Sequence, residues 1–412
     1  MDLWGKQAQE AKRALRYLSE DQRNQALKNI ALALRESVDE IIAANSKDMD
    51  EAKKNNLNAA MTDRLLLDEK RINAMADGVD SIANQDQVVS CIYNERTNEK
   101  GLKIAKQRIP LGVILMIFES RPNVVIDCAA LAIKSGNAIL LKGGKEAKYS
   151  NECLGDLINA ATKEFLPKFS VQVLKSDDRS TVNELLSKKE YIDLVIPRGG
   201  KKLIEHVYEN ARMPVIAHFE GLCHMYIDSS AKEEMALDLI VNAKTHRTGV
   251  CNAMETLLVH ESQLANLAPK ITKALQERST ELRVDEKFKD ASGVDLKIAN
   301  DQDWATEYLE NILSIKSVAS VDEAIAHIDK YGTNHTEAIV SEDQASVDKF
   351  FQVVDASCLM HNASTRFNDG GELGLGAELG ISTTKIHAYG PMGAEEMTSS
   401  RFIVLGSGQV RS

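Results

Sequence analysis

The sequence predicts an α/β protein with two domains built on parallel-rich sheets and a small oligomerisation arm. Three observations support this fold class: the length of 412 residues, a composition that is 43% hydrophobic and 27% charged, and a regular alternation of apolar runs with helical segments from Leu111 onward. Continuous Val/Ile/Leu strands separated by single helices are typical of a parallel sheet covered on both faces. A chain of this length has room for more than one domain.

The elements follow one another in a clear order. Residues 1–87 carry apolar side chains at helical spacing and are predicted to form a packing layer of helices. A polar, strand-like hairpin is predicted next, turning at residues 98–101. The strands of a doubly wound sheet come after it, each but the last followed by a helix. We expect these strands at 112–119, 138–144, 171–175, 192–200 and 214–221.

These patterns predict the domain boundaries. A nucleotide-binding domain is expected from residues 1–90 and 108–222, and a catalytic domain from residues 223–382. The arm is expected from residues 91–107 and 383–412, whose strands pair between subunits of a homodimer or tetramer.

Composition argues against several classes of protein and site. The net charge of −11 makes nucleic acid an improbable partner. Six cysteines without a CxxC pair argue against a disulfide framework and favour a reducing, cytoplasmic location. The beginning of the chain has no apolar signal core, and the longest apolar runs are too short to span a bilayer. No metal is expected, since "HFEGLCH" lacks a second half with zinc-ligand spacing.

Phosphate binding is predicted at the ends of strands rather than at a common glycine fingerprint. The motif G-x-G-x-x-G is absent after the first strand of the sheet, where "FESRPNV" stands instead. The pairs Gly143-Gly144 and Gly199-Gly200 end two strands and precede helices, where backbone N–H groups can meet anions. The alternative is that both pairs form ordinary tight turns. Lys142 and Lys145 suit a ribose that carries a 2′-phosphate, or they are surface lysines.

Cys251 is the candidate nucleophile. It lies in the small, polar segment "THRTGVCNA" ahead of an apolar strand, where a thiolate can be exposed. A lone cysteine in such a place is more often structural. Asn123 follows the first strand of the sheet, and its amide can hydrogen-bond an oxyanion together with the Cys251 N–H. The alternative role for Asn123 is that of a helix N-cap.

Five longer segments carry a resemblance to a known family. They are "FESRPNVVIDCAALAIKSGNAILLKGGKEA", "GLCHMYID", "RTGVCNAMETLLVH", "GTNHTEAIV" and "LGLGAELGISTTKIHAYGPMG". Together they closely resemble the γ-glutamyl phosphate reductases of the aldehyde dehydrogenase superfamily, over essentially the whole chain. The resemblance implies an aldehyde dehydrogenase-like fold, in which the cofactor is bound without the common glycine motif.

The resemblance also implies an activity. It is the NADPH-dependent reduction of L-glutamyl 5-phosphate to L-glutamate 5-semialdehyde and phosphate, through a cysteine thioester, in L-proline biosynthesis. Cys251 matches the nucleophile of the family, Asn123 the oxyanion asparagine, and Lys142 the lysine that contacts the adenosine ribose. His218 stands where hydrolytic relatives carry a glutamate. Its role is open: it lowers the thiol pKa, meets phosphate or packs.

The substrate and the partners are less closely defined. Candidate substrate-binding residues are Ser120, Arg121, Arg247, Asn362 and Arg366. A glutamate 5-kinase that hands over the labile acyl phosphate is a possible partner. Three other functions stay open: a hydrolytic, non-phosphorylating NAD(P)-dependent semialdehyde dehydrogenase, a cysteine amidohydrolase, and a catalytically silent binding protein.

Overall fold

A computed structural model describes residues 2–175, 180–217 and 220–411, and it divides into two compact units. Unit 1 comprises Met1–Ala217, Gly374–Gly380 and Ile386–Ser412, and unit 2 comprises His218–Leu373 and Ile381–Lys385. Among the described residues, no helix has both the length and the apolar character that crossing a bilayer requires.

Unit 1 begins with a layer of five helices, as the sequence predicts. Leu27, Ile30 and Leu34 are fully buried along one face of the second helix, as expected for apolar residues three and four positions apart. Ser19 opens that helix with a capping box, because its hydroxyl accepts from the Gln22 N–H while the Gln22 side chain accepts from the Ser19 N–H. The helices are α1 (Asp2–Leu15), α2 (Glu20–Glu36), α3 (Val38–Lys54), α4 (Ala59–Leu65) and α5 (Glu69–Ala83).

A separate antiparallel sheet contains the predicted hairpin. Strands β1 (Ile92–Thr97) and β2 (Lys103–Pro110) pair through a turn in which Gly101 has a φ of 77°. The carboxyl-terminal strand β16 (Thr398–Leu405) pairs with the other edge of β2. The sequence segments expected to form an arm therefore supply the three strands of one sheet, within unit 1.

The second sheet of unit 1 has four parallel strands in the order β5-β4-β3-β6. Every residue of β3 is buried, which explains its uninterrupted apolar sequence. The strand order reverses beside β3, so the carboxyl ends of β3 and β6 flank a topological switch point. The elements are β3 (Val113–Phe118), α6 (Asn123–Lys134), β4 (Ala138–Gly143), α7 (Lys148–Thr162), β5 (Val171–Val173), α8 (Ser180–Leu186), β6 (Leu194–Arg198) and α9 (Lys201–Asn210).

One predicted strand of this sheet is wrong over its described part. Residues 214–217 form no strand, and Val215 makes only an isolated parallel bridge to Val195. Two backbone hydrogen bonds support that bridge, from Val195 N to Pro214 O and from Ile216 N to Val195 O. Pro214 has no N–H to offer to a ladder, which explains why pairing does not extend. Residues 218 and 219 lie outside the described part of the chain.

Unit 2 contains a seven-stranded sheet in the order β10-β9-β11-β8-β7-β12-β13, and neighbouring strands in it are parallel. Two apolar clusters pack against it, one around Leu257 and the other around Leu258. The elements are β7 (Cys223–Ile227), α10 (Glu233–Thr245), β8 (Met254–His260), α11 (Glu261–Gln276), β9 (Glu281–Val284), α12 (Glu286–Ser292), β10 (Lys297–Ile298), β11 (Ile312–Val318), α13 (Val321–Tyr331), β12 (Thr336–Val340), α14 (Gln344–Val353) and β13 (Cys358–His361).

Short elements complete the described chain. Three single 3₁₀ turns lie beside longer elements, and two two-residue strands follow the glycine-rich segment near residue 375. The turns are Lys145–Ala147, Asp303–Ala305 and Thr365–Phe367, and the strands are β14 (Ile381–Ser382) and β15 (Gly390–Pro391).

Candidate active site

Cys251 lies in a turn of unit 2, just before β8, and is partly exposed. The turn is closed by a hydrogen bond from the Ala253 N–H to the Val250 carbonyl. Gly221 approaches it so closely that an added Cβ would stand 2.2 Å from the Cys251 carbonyl oxygen and 2.7 Å from the Cys251 Cβ. A glycine is therefore needed at 221 for the segment before β7 to pass the turn.

Two side chains donate to consecutive carbonyls of this turn. The buried Cys223 thiol donates to the Cys251 carbonyl across 3.1 Å, and the Thr365 hydroxyl donates to the Asn252 carbonyl across 2.7 Å. The Asn252 amide in turn donates to the Asn368 carbonyl at 2.9 Å. The backbone that carries Cys251 is thus fixed by residues far away in the sequence.

Cationic side chains surround the same turn. Arg366 stands in the 3₁₀ turn Thr365–Phe367, and its Nε lies 3.4 Å from Nδ1 of His246. Burial lowers the pKa of Arg366, while the charges of Asp369 and Cys251 oppose that shift. Arg247 is exposed beside His246 and repels Arg366. A partly buried guanidinium near a thiol gives this place the electropositive character that suits an anionic substrate.

The segment considered for zinc instead forms a buried hydrogen-bonded pair. His224 Nδ1 lies 2.9 Å from the carboxylate of Glu337, and both side chains are fully buried. Burial raises the pKa of Glu337. Cys223 and His224 therefore have partners of their own, and no cluster of possible metal ligands occurs within the described residues.

A second buried pair supports β8. Lys244 Nζ lies 2.6 Å from the Glu255 carboxylate, and both side chains are fully buried. Burial raises the pKa of Glu255 to about 7 and lowers that of Lys244. Both shifts favour the neutral forms, as desolvation predicts. Glu255 also accepts from the Leu309 N–H at 3.1 Å.

In unit 1, Asn123 is the first residue of α6 rather than its N-cap, which is Pro122. The N-cap alternative for Asn123 is therefore wrong. Its amide donates to Asp127 across 2.9 Å, one helical turn later, which fixes the side chain and leaves a second amide hydrogen. Burial raises the pKa of Asp127 to about 6, and the hydrogen bond from Asn123 and the charge of Arg198 counteract that shift.

Two carboxylates accept from backbone N–H groups at the carboxyl edge of the four-stranded sheet. Glu146 accepts from the N–H of Ser120 at 2.7 Å and from its hydroxyl at 2.9 Å. Ser120 is buried and holds a left-handed φ of 47°. Glu119 accepts from the N–H of Gly200, the N-cap of α9, at 2.9 Å. The glycine pair at 199–200 thus opens a helix, and its N-terminal N–H groups attract carboxylate.

The end of β4 carries the predicted lysines. Lys142 is largely buried, and its Nζ donates to the Gly143 carbonyl at 2.8 Å. A pocket opens beside it, and three of its lining residues are lysines. The lining residues are Gly143, Gly144, Lys145, Lys148, Asn151, Glu152, Val173, Leu174 and Lys175. Lys148 and Lys175 were not singled out from the sequence, because only the fold brings β5 beside α7.

The remaining candidates lie in different surroundings. The Asn362 side chain is hydrogen-bonded to the backbone of Ser341. Its Oδ1 accepts from the Ser341 N–H at 3.0 Å, and its Nδ2 donates to the Ser341 carbonyl at 3.1 Å. Arg121 is partly exposed in the loop between β3 and α6. His218 lies outside the described residues. Sequence reasoning missed Cys223, Thr365 and Gly221, because their contacts with the Cys251 turn have no local signal.

Comparisons with known proteins agree with this fold. The model of the aldehyde dehydrogenase family matches residues 2–310. A curated γ-glutamyl phosphate reductase of Caldanaerobacter subterraneus is 47% identical over 412 residues, covering 100% of this chain and 99% of the relative. Another from Desulfatibacillum aliphaticivorans is 47% identical, covering 99% of this chain and 97% of the relative.

A solved structure gives the same result. The crystal structure of a γ-glutamyl phosphate reductase from Thermotoga maritima superposes with a TM-score of 0.95 at 43% identity, covering 99% of both chains. The aldehyde dehydrogenase-like fold expected from the resemblance is confirmed. The chain belongs to the aldehyde dehydrogenase family and, within it, to the γ-glutamyl phosphate reductases.

Proposed function

We propose that this chain reduces L-glutamyl 5-phosphate to L-glutamate 5-semialdehyde and phosphate with NADPH, in L-proline biosynthesis. The observation that carries the proposal is the partly exposed Cys251, held in a braced turn near the Arg366 guanidinium. The names of the curated relatives, at 47% identity over the whole chain, support the same activity. The family uses a nicotinamide cofactor and a small-molecule substrate.

The first step is acyl transfer to sulfur. The Cys251 thiolate attacks the acyl carbon, the bond to the phosphate oxygen breaks, and inorganic phosphate leaves with the electron pair of that bond. Arg366, whose charge interacts with that of Cys251, is proposed with Arg247 to bind the leaving phosphate dianion. A thioester on Cys251 remains.

Oxyanion stabilisation is assigned to two donors. The Asn123 amide has one hydrogen left after its bond to Asp127, and the Cys251 backbone N–H is the second donor, as the family resemblance implies. Their role is to stabilise the charge that develops on the carbonyl oxygen in both tetrahedral states.

The second step is reduction. When bound, NADPH supplies the hydride that reduces the thioester carbon. The C–S bond then breaks with its electron pair on Cys251, which leaves as thiolate, while the C=O double bond of the aldehyde re-forms and the negative charge on the oxygen is lost. A glutamate in place of His218 would activate water against the thioester; its replacement by histidine fits a phosphorylating enzyme. For His218 the proposed role is to meet phosphate.

For the cofactor, the carboxyl edge of the four-stranded sheet offers a suitable set of groups. Lys142 is proposed to contact the adenosine ribose, and Lys145, with the pocket lysines 148 and 175, to attract a 2′-phosphate. The glycines 143, 144, 199 and 200 keep this edge free of side chains near the dinucleotide.

We expect Lys145→Ala to raise the KM for NADPH about tenfold and leave that for NADH unchanged. Equal changes for both cofactors would contradict the assignment.

Binding of the α-amino and α-carboxylate groups is proposed for Arg121, with Ser120 and Asn362 the weaker candidates because their side chains are engaged by Glu146 and Ser341. We further propose a homodimer or tetramer formed through the β1-β2-β16 sheet, on which Phe402 and Leu405 are each 62% exposed.

The six free cysteines favour a cytoplasmic location. A glutamate 5-kinase is the proposed donor of the acyl phosphate.

The test is the Cys251→Ala variant beside Cys358→Ala, a control cysteine on β13 of the same unit. We expect Cys251→Ala to lose at least about 10³-fold in kcat and Cys358→Ala to keep wild-type activity. Reverse assays with and without phosphate separate the hydrolytic alternative, which needs no phosphate and gives glutamate. Full activity of Cys251→Ala would end the proposal.

A further inference from the structure

The turn that carries Cys251 is held by side chains that take no part in the chemistry proposed above. Cys223 begins β7 and is fully buried, and its Sγ lies 3.1 Å from the Cys251 carbonyl oxygen. Thr365, also fully buried, brings its Oγ1 to 2.7 Å from the Asn252 carbonyl oxygen. Two consecutive peptide groups are therefore fixed from two different segments of unit 2.

The direction of the Cys223 hydrogen bond follows from the two groups that it joins. A carbonyl oxygen can only accept, so in the contact with the Cys251 carbonyl the thiol is the donor. Nδ1 of His335 also stands near the Cys223 sulfur, at 3.6 Å, but the Cys251 carbonyl oxygen is closer, at 3.1 Å. We therefore assign the thiol hydrogen to the Cys251 carbonyl.

The two thiols have different surroundings. Burial, with the charges of Glu337 and Cys251 adding to it, raises the pKa of Cys223 well above its ordinary range. Cys223 therefore keeps its hydrogen under conditions in which an exposed thiol ionises, and it remains a donor throughout. Cys251 is partly exposed and is the thiol that reagents can reach.

We propose that Cys223 and Thr365 are positioning residues that hold the Cys251 and Asn252 carbonyls, so that the nucleophilic sulfur keeps one orientation. The inference rests on the proposed function in taking Cys251 as the nucleophile. Fixing two successive carbonyls restricts the backbone dihedrals at 251 and 252, and these set the direction of the Cys251 side chain. A nucleophile displaced by a fraction of an ångström loses rate more than affinity.

Two pairs of variants, each with one member that lacks the hydrogen-bond donor and one that keeps it, test this proposal. At 223, Cys223→Ala removes the donor, whereas Cys223→Ser has nearly the same volume as alanine but restores a donor. At 365, Thr365→Val removes the hydroxyl while keeping the shape, and Thr365→Ser keeps the hydroxyl. A merely structural role would make both members of the first pair equally poor.

We expect Cys223→Ala and Thr365→Val to lower kcat about 3- to 10-fold with little change in KM, since one hydrogen bond is lost in each. The serine variants should regain most of the wild-type kcat. Cys358→Ala, which removes a thiol from β13, two strands away from β7, serves as the control with wild-type kcat. If one pair fails to fold, the other still gives a result.

Alkylation of Cys251 by iodoacetamide provides a readout that needs no substrate, with the labelled peptide identified by mass spectrometry. Its rate should fall in the variants without a donor and recover in the serine variants. Equal kcat and equal alkylation rates within both pairs would overturn the positioning role. If Cys251→Ala kept reductase activity, the proposed function would fail, whereas the alkylation comparison would still report on the turn.

Discussion

The two parallel sheets of this protein present their candidate functional residues at opposite edges. In unit 1, Ser120, Asn123 and the glycine pairs follow the carboxyl ends of β3, β4 and β6. In unit 2, Cys251 precedes the amino end of β8, and Cys223 is the first residue of β7. The general rule for open α/β sheets places ligands at the carboxyl ends of strands; the candidate residues of the first sheet follow this rule, whereas Cys251 in the second does not.

The difference shows what each edge requires. The carboxyl edge of the four-stranded sheet is built from local turns, whose N–H groups receive the carboxylates of Glu119 and Glu146. The amino edge of the seven-stranded sheet, where the Cys251 turn lies, contains buried polar pairs whose partners come from different elements of unit 2. Lys244–Glu255 and His224–Glu337 are two such buried pairs at this amino edge.

The largest expected effect tests whether the amino edge depends on such pairs. Lys244→Met leaves the Glu255 carboxylate buried without its cation, and it should lower the free energy of unfolding by about 3–5 kcal/mol. The double variant Lys244→Met/Glu255→Gln removes the buried charge and keeps an acceptor for the Leu309 N–H, so it should recover most of that loss. Urea unfolding of the purified variants measures both.

If the single variant Lys244→Met were as stable as wild type, water or a backbone movement would have to compensate the unpaired charge of the Glu255 carboxylate. The stability of the amino edge would then not depend on its buried ion pairs, and in this respect the two edges would not differ. The matched control is the surface pair Glu233–Lys270. Glu233→Gln removes the exposed partner of Lys270 and should change the free energy of unfolding by under about 1 kcal/mol.

The two edges also differ in how much of each can be predicted from the sequence. At the carboxyl edge, the sequence predicts Asn123, Lys142 and the glycine pairs because strand, turn and helix signals are adjacent in the chain. The carboxylate of Glu146 at Ser120 was missed, since a left-handed φ at serine has no composition signal. At the amino edge the sequence predicts Cys251, but its contacts Cys223 and Thr365 lie 28 and 114 residues away in the chain, and only the fold of unit 2 brings them near.

The strand predicted at 214–221 shows a second limit. Its apolar residues have the composition of a strand, yet Pro214 and the course of the chain allow only one bridge, at Val215. Apolar runs predict burial reliably, but the number of ladder hydrogen bonds depends on neighbours that the run itself does not encode.

The next prediction tests the carboxyl edge. Asn123→Ala removes a proposed oxyanion donor and should lower kcat about 10²–10³-fold, with a smaller change in KM. Asn159→Ala is a matched control, because Asn159 also uses its amide for one hydrogen bond within a helix of unit 1, to the Gly155 carbonyl. Steady-state kinetics distinguish the two variants, and equal losses would indicate that Asn123 serves the helix rather than the reaction.

The smallest expected effect concerns Asp127, which accepts from Asn123. Its pKa of about 6 lies above the ordinary value of 3.8, so the folded protein binds the proton more tightly than the unfolded chain. The stabilisation from protonated Asp127 is complete below about pH 4 and is lost as the pH rises through 6. Asp127→Asn has no such loss and still offers Asn123 an oxygen.

The stability of Asp127→Asn relative to wild type should therefore rise by about 2–2.5 kcal/mol between pH 4 and pH 7 and change little above pH 7. Urea unfolding at several pH values measures this difference. A difference independent of pH would mean that the carboxyl titrates normally, and that Asn123 is oriented by the helix alone. The carboxyl edge would then contain no buried acid comparable to Glu255, and the contrast between the two edges would be sharper.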